Sequence, residues 1–347
     1  MIAVIGAGMA GLTCARALSA AGHGVTVFDK GRGVGGRLAT RRVDIGGETL
    51  SFDHGAQYVT AREPAFQARI TEAMRAGKAG LWAPDISPAP ATDRRNDWWV
   101  GAPSMSALVK TPALQALHPR TGEKVVRISG SARAWMLTLD SGHTHGPFSA
   151  VVVTAPAPQA ADLLPEMAAS GRQALAAVRY GPCWTAMAAF ATALPGADLY
   201  RDDTADLAWA ARNGTKPGRG GPHDCWTLQA SPDWSRAHLE EDGGTVAGRL
   251  LALFLDLLGE KTGLSPGTPM HLSAHRWRYA RVETPLGASH WEDGALGLYA
   301  GGDWALGARV ECAHDSGLAI AESIVRTQAP TLAPTLAPTL VAHRQAG

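Results

Sequence analysis

The chain opens on an unbroken apolar run, Met1-Ile2-Ala3-Val4-Ile5, which predicts a short strand buried on both faces. A glycine cluster interrupts it, and residues 12–18 then carry a helical pattern. Residues 24–28 predict a second strand that ends on Asp29. A third buried strand is expected over 150–153, where Ala150-Val151-Val152-Val153 runs toward Pro156, and a helix comes next from about Gln159. Near the other end, residues 297–303 predict a strand closing on two glycines and Asp303, with a helix reaching Ile324 after it.

Between these buried strands the pattern is more mixed. Residues 43–50 read as a turn, and residues 51–62 as a segment whose Gln57, Tyr58, Thr60 and Arg62 lie polar along a strand edge. Pro64 at an early helical position starts a helix that runs to about Arg75. Residues 83–97 read as a connection, with Asp93-Arg94-Arg95 as a solvated run. A helix from Ser104, a strand over 124–128 and a hairpin turning at Ser141-Gly142 come next. Two strands are expected over 183–193 and 225–230, flanking a glycine-rich loop at 212–221. Leu250, Leu251, Phe254, Leu257 and Leu258 give the helix at 245–258 one apolar face. Trp226, Trp234 and Trp277 read as core.

The first glycine cluster has chemistry attached. Gly6, Gly8 and Gly11 form G-x-G-x-x-G between a strand and a helix: the first for a tight turn, the second for close approach of a pyrophosphate, the third for helix–strand packing. The helix N-terminus then offers N–H groups and its positive dipole end to phosphate. Asp29 falls where a carboxylate accepts hydrogen bonds from the adenosine ribose. Gly6, Gly8, Ala10, Gly11, Asp29 and Lys30 are the candidate dinucleotide contacts.

The residues just after Asp29 bear on which dinucleotide is bound. Gly35-Gly36-Arg37 is similar to the second fingerprint of amine-oxidase-superfamily flavoproteins, in which the glycines and arginine contact the FAD pyrophosphate. The glycines permit close backbone approach and the guanidinium offers a fixed fork of donors. An arginine common four residues earlier is replaced by Gly33, with Arg32 beside it. FAD is the expected cofactor.

Composition changes the picture mainly by exclusion. A net charge of +1 among 347 residues gives no electrostatic case for nucleic acid or an anionic membrane. The four cysteines, Cys14, Cys183, Cys225 and Cys312, are far apart, which argues against structural disulfides or zinc and for a reducing cytoplasm. A chain that begins on a buried strand leaves no room for a signal peptide, and the uncharged run at 181–197 is broken by prolines. His143 and His145 read as turn residues, and Glu311, His314 and Asp315 as a helix start; no metal is expected.

Taken together, the motifs resemble the bacterial renalases over roughly residues 1–326. The pieces are Phe28-Asp29-Lys30 with Gly35-Gly36-Arg37, residues 53–58 with Thr60-Ala61-Arg62, residues 154–159, and Leu207-Ala208-Trp209 with Arg212-Asn213 and Lys216-Pro217. His275-Arg276-Trp277 with Tyr279-Ala280, and Gly302-Asp303-Trp304 with Arg309-Val310-Glu311, complete them. The resemblance implies an α/β fold: a Rossmann-type, amine-oxidase-like FAD-binding domain with a second α+β substrate domain on a mixed or antiparallel sheet. The division expected is 1–62, 98–158 and 288–327 for the first and 63–97 with 159–287 for the second, then a disordered Pro-rich tail at 328–347 that repeats Ala-Pro-Thr-Leu.

The same resemblance implies non-covalent FAD and oxidation of 2- and 6-dihydro-NAD(P) to NAD(P)+, with oxygen becoming hydrogen peroxide. It puts Ala56, Gln57, Val125, Asp303 and Val310 near FAD, and Tyr58, Thr60, Arg62 and Thr185 near the substrate. A monomer or weak homodimer is expected. Cys312 and His314 depart from the family pattern in the turn beside the flavin, and Val59 replaces a common phenylalanine. The alternative is a flavin-dependent oxidase of a small amine, but none of the six lysines lies on the strand that would carry one near flavin N5.

Overall fold

The computed structural model describes residues 1–88, 97–263 and 267–328. The first buried strands assemble into a six-stranded sheet ordered Trp291–Asp293, Leu298–Ala300, Ala150–Val153, Ile2–Ile5, Val25–Asp29, Arg120–Thr121. Ile2 pairs in parallel with both Ala150 and Val25, and Val151 with Leu298; only the Trp291–Asp293 edge is antiparallel. Ile2–Ile5 and Ala150–Val153 are buried throughout, because helices cover one face and a three-stranded sheet the other. On the first side Leu12 and Leu18 of helix Met9–Ala20 meet Ile320 and Ile324 of helix Val310–Gln328. On the second, Trp135 and Phe148 of the small sheet pack with Phe28.

The second six-stranded sheet runs His271–Thr284, Arg179–Phe190, Asp224–Ala230, Leu207–Arg212, Leu199–Arg201, Ile86–Ser87. Its neighbours are antiparallel apart from the last pair. Helix Gly243–Thr262 seals one face, with Val246, Leu250, Phe254 and Leu258 fully buried against Trp226 and Leu228. Asp242 caps its first turn through Oδ1, and Gly263, in the left-handed region at φ 71°, ends it.

Several expectations change here. Residues 43–50 are not simply a turn: Thr40–Ile45 and Glu48–Asp53 form a hairpin around Gly46-Gly47, both at positive φ as a two-residue turn demands. The strand edge expected over 51–62 stops at Asp53; beyond it only Val59 bridges, to Trp99. The helix from Ser104 is a short 3-10 turn, Met105–Val109. His145 lies on the strand Thr144–Phe148, not in a turn. Four strands of the second sheet, at 86–87, 199–201, 207–212 and 271–284, escape the pattern reading, because the first two are only two or three residues long and the Ala-rich or arginine-rich others carry little period-two signal.

The helix Pro64–Arg75 shares a core with Leu12 and Ile324 through Phe66, Ile70 and Ala73. The helices Ala157–Leu163 and Ala169–Leu175 share one with Val151 and Val153. The expected surface run at 93–95 and the Ala-Pro-Thr-Leu tail lie outside the described residues. No helix among the described residues is long and apolar enough to cross a membrane.

Candidate active site

A cavity of about 2360 Å³ is lined from both large sheets. Gly6, Gly8, Ala10, Asp29, Lys30, Gly36 and Arg37 line it, as do Ala56, Gln57, Tyr58, Thr60, Arg62, Val125, Asp303 and Val310. The structure therefore gathers nearly every sequence-predicted site residue on one surface. Gly11 and Thr185 are the exceptions.

At one end the glycine roles separate cleanly. Gly6 sits at φ 111°, which an L side chain rarely adopts, and a Cβ on Gly11 would collide with the Gly6 carbonyl oxygen. Gly11 is thus a packing residue and does not reach the cavity. A Cβ on Gly8 would meet nothing within 4 Å. Gly8 is also the N-cap of helix Met9–Ala20, with no side chain capping it and no acid in the first turn. An uncapped helix start that opens onto a cavity leaves backbone donors for a phosphate. A Cβ on Gly36 would lie 3.6 Å from the Gly8 Cα, so the two glycine loops pack closely together, and both glycines line the cavity beside them.

Asp29 closes this end. Its Oδ2 accepts from the Ala7 N–H at 2.6 Å and its Oδ1 from the Gly31 N–H at 2.6 Å, bracing the first glycine turn and the turn after the strand. Lys30 reaches Gln159 Oε1 at 3.1 Å.

Arg37 lines the cavity, but its guanidinium is already committed to the protein. It pairs with Asp303 Oδ1 and donates to the Tyr279 and Ala280 carbonyls at 3.3 Å each. Burial acts against this charge, and the Asp303 carboxylate more than offsets it, so Arg37 is held above its usual range. Asp303 Oδ1 also accepts from the Trp304 N–H at 2.8 Å, which leaves Oδ2 as its free acceptor among the described residues. Helix Val310–Gln328 begins at Val310, which shares the cavity wall with this carboxylate. Glu311 is buried, its Oε1 accepting from the Arg62 and Glu63 N–H groups at 2.6 and 2.8 Å, so it holds the segment around Arg62. No group of His, Cys, Asp and Glu among the described residues could hold a metal ion, and all four cysteines are free.

Gln57 lines the cavity, and behind it lies a buried charge cluster that sequence reading missed. Lys216 Nζ donates to Gln57 Oε1 at 3.0 Å and lies 3.4 Å from Asp53 Oδ2, which Arg219 Nη2 approaches at 2.7 Å. Asp53 Oδ1 accepts from Thr40 Oγ1 at 2.6 Å and from the Met105 N–H at 3.0 Å. Both cations come from the glycine-rich stretch expected to be a plain loop. A lysine and an arginine set three apart among glycines and prolines were the available signal.

Beyond Gln57 the wall is aromatic. Tyr58 stacks on Trp98 with centroids 4.2 Å apart and on Trp209 at 5.7 Å, and Trp82 closes the group 5.7 Å from Trp98. Arg201 is tied to Asp203 at 2.7 Å, whereas the Arg62 and Arg281 guanidinia make no hydrogen bond or ion pair among the described residues. Thr185 is fully buried with its Oγ1 3.6 Å from Cys183 Sγ; it stands behind Cys183, which does face the cavity. The expectation that Thr185 contacts substrate is therefore corrected: two residues along a strand share a face, and Cys183 is the nearer. Trp277, expected in the core, lines the cavity and donates to the His54 carbonyl at 2.8 Å.

A profile of the NAD(P)-binding Rossmann-like domain matches residues 4–72. Cyclohexylamine oxidase from Brevibacterium oxydans IH-35A is similar in structure, with a TM-score of 0.70 at 14% identity over 94% of this chain and 98% of that one. A triple mutant of putrescine oxidase, from a redesign of its cofactor binding, gives 0.67 at the same identity and coverage. The wild-type putrescine oxidase bound to putrescine gives 0.65, again at 14% identity over 94% and 98% of the two chains. The chain thus carries a Rossmann-like dinucleotide-binding domain within the overall fold that these oxidases adopt.

Proposed function

We propose that the protein is a FAD-dependent oxidase of isomeric dihydronicotinamide dinucleotides, the 2- and 6-dihydro forms of NAD(P). The cofactor reading is supported by the bare Gly8 and Gly36 backbone on the cavity wall, the uncapped helix start at Gly8 and the free Oδ2 of Asp303, an acceptor suited to a ribityl hydroxyl. When bound, FAD supplies the acceptor for a hydride and passes both electrons to oxygen, giving hydrogen peroxide and NAD(P)+.

The observation that carries the substrate reading is the presence of two uncommitted guanidinia, Arg62 and Arg281, in the cavity that Tyr58 and Trp98 also line. A flat dihydropyridine suits the aromatic wall, and a diphosphate suits the arginines. Tyr58 and Thr60 are suited to orient the carboxamide. No general base is needed, because loss of a hydride leaves an aromatic ring.

A second reading, oxidation of a small amine, is favoured by the likeness to the two amine oxidases and by the same aromatic wall. Anaerobic mixing of the FAD-loaded protein with each donor separates the two. Rapid bleaching of the flavin by the dihydronicotinamide isomers, slow bleaching by ordinary NAD(P)H and none by monoamines is the expected result. Bleaching by a monoamine alone would establish the second reading.

A further inference from the structure

The buried cluster behind Gln57 is charged out of balance. Lys216 and Arg219 bring two cations to the single carboxylate of Asp53, and Lys216 and Asp53 have no side-chain exposure at all. The remaining neighbours are neutral: Gln57, the Thr40 hydroxyl, the Met105 N–H, and the Trp82 ring, over which Lys216 Nζ stands at 5.1 Å. An uncompensated charge held out of water costs several kcal/mol. Folding tolerates such a cost where the charge has work to do in an adjoining site. Here the adjoining site is the large cavity, reached through Gln57 and the Trp82 ring.

Gln57 links the two. Its Nε2 donates to the Gly55 carbonyl at 3.0 Å while its Oε1 accepts from Lys216, so the ammonium fixes which way the amide points. Gln229 Nε2 also donates to the Gly55 carbonyl, at 2.9 Å. The turn from Asp53 to Gln57 is therefore held from both sides, with Ala56 and Gln57 presented to the cavity.

We propose that Lys216 is a positioning residue for the flavin: it locks the Ala56–Gln57 turn on the wall of the cavity and supplies the positive charge that favours the reduced, more negative form. The inference rests on the FAD reading above. A two-electron-reduced flavin carries more negative charge than the oxidised ring, and an excess cation at low dielectric stabilises it preferentially. Desolvation pushes the ammonium down to about 8, with Arg219 adding to the fall and Asp53 opposing it, so its proton is sensitive to charge placed in the cavity. The other titratable groups facing it are Asp53 from the hairpin and Arg219 from its own loop.

The test uses the FAD-loaded full chain with Lys216→Met and Lys216→Arg, and reads the midpoint potential of the flavin by dye equilibration. Lys216→Met should lower the potential, and Lys216→Arg should restore it toward wild type. Equal potentials in wild type and Lys216→Met, at full flavin occupancy, would overturn the inference. Should Lys216→Met fail to fold, carbon-13 resonances of the lysine side chains in wild type serve instead. One buried lysine should titrate near pH 8 in the oxidised protein and clearly higher after reduction, and identical titrations in both states would overturn the inference equally. A protein that takes up no FAD overturns the cofactor reading and this inference with it; one that binds FAD but shows neither shift overturns this inference alone.

Discussion

Arg37 and Asp303 stand 266 residues apart in the chain and meet as an ion pair on the wall of the cavity. Arg37 adds two bonds to carbonyls of the strand His271–Thr284, so one side chain ties the glycine-rich loop, the last strand region and the second sheet together. Replacing it by alanine should cost about 2 kcal/mol of stability, because Asp303 loses its partner in a largely buried setting. Flavin affinity should fall at least about tenfold, since the wall that holds it is no longer braced. Urea melts of the apoprotein and fluorescence titration with FAD measure the two effects separately.

Gly8 and Gly11 should respond to a side chain in opposite ways. Gly8→Val places its side chain in open cavity, so the apoprotein should melt near wild type while FAD binding is lost. Gly11→Ala drives a methyl into the Gly6 carbonyl and should cost about 3 kcal/mol or more before cofactor is considered. A Gly8→Val protein purified with full flavin would refute the placement of the dinucleotide.

The flavin should leave the polypeptide on acid or heat denaturation. Cys183 is the cysteine that faces the cavity, and burial pushes its thiol up to about 11, which keeps it protonated and unreactive at neutral pH. Flavin retained after denaturation would point to Cys183 first.

Under the proposed function, Arg62→Ala should raise KM roughly tenfold with kcat changed less than about twofold, because a guanidinium paired with the diphosphate acts away from the reacting carbon. Thr185→Val should leave both nearly unchanged, since its hydroxyl meets Cys183 inside the sheet and not the cavity. Steady-state kinetics with a dihydronicotinamide isomer checks both variants.

Acid should destabilise the fold before the carboxylates titrate. His54 is 5% exposed, and burial, helped by His275 and Arg41, holds its imidazole down to about 4 from an ordinary 6.5. A folded value below the unfolded one means the stabilisation is complete above pH 6.5 and is lost as pH falls toward 4. The loss is on the order of 3 kcal/mol at about 1.4 kcal/mol per unit. Urea melts at pH 7 and pH 4.5 should differ accordingly, and His54→Gln should flatten the difference.

The dinucleotide half was legible because its physics is local. A strand buried on both faces, a turn that only glycine makes and a helix start without a cap are each written within a few neighbouring residues, from Ile2 to Asp29. The Gly35-Gly36-Arg37 doublet belongs to the same class. The local pattern could not carry anything that depends on distant pairing. Lys216 reads as one charge in a glycine-rich loop until the fold sets it beside Asp53, 163 residues earlier. Thr185 and Cys183 differ only by register, so their order relative to the cavity is decided by how the strand stacks against Gln229 and Ala230. Tyr58 meets Trp98 and Trp209 through a segment with a single ladder contact, placed by its surroundings and not by its own propensity. Backbone geometry near a glycine is a short-range matter that the chain settles alone; burial and charge balance are sums over neighbours, and only the tertiary structure chooses the neighbours.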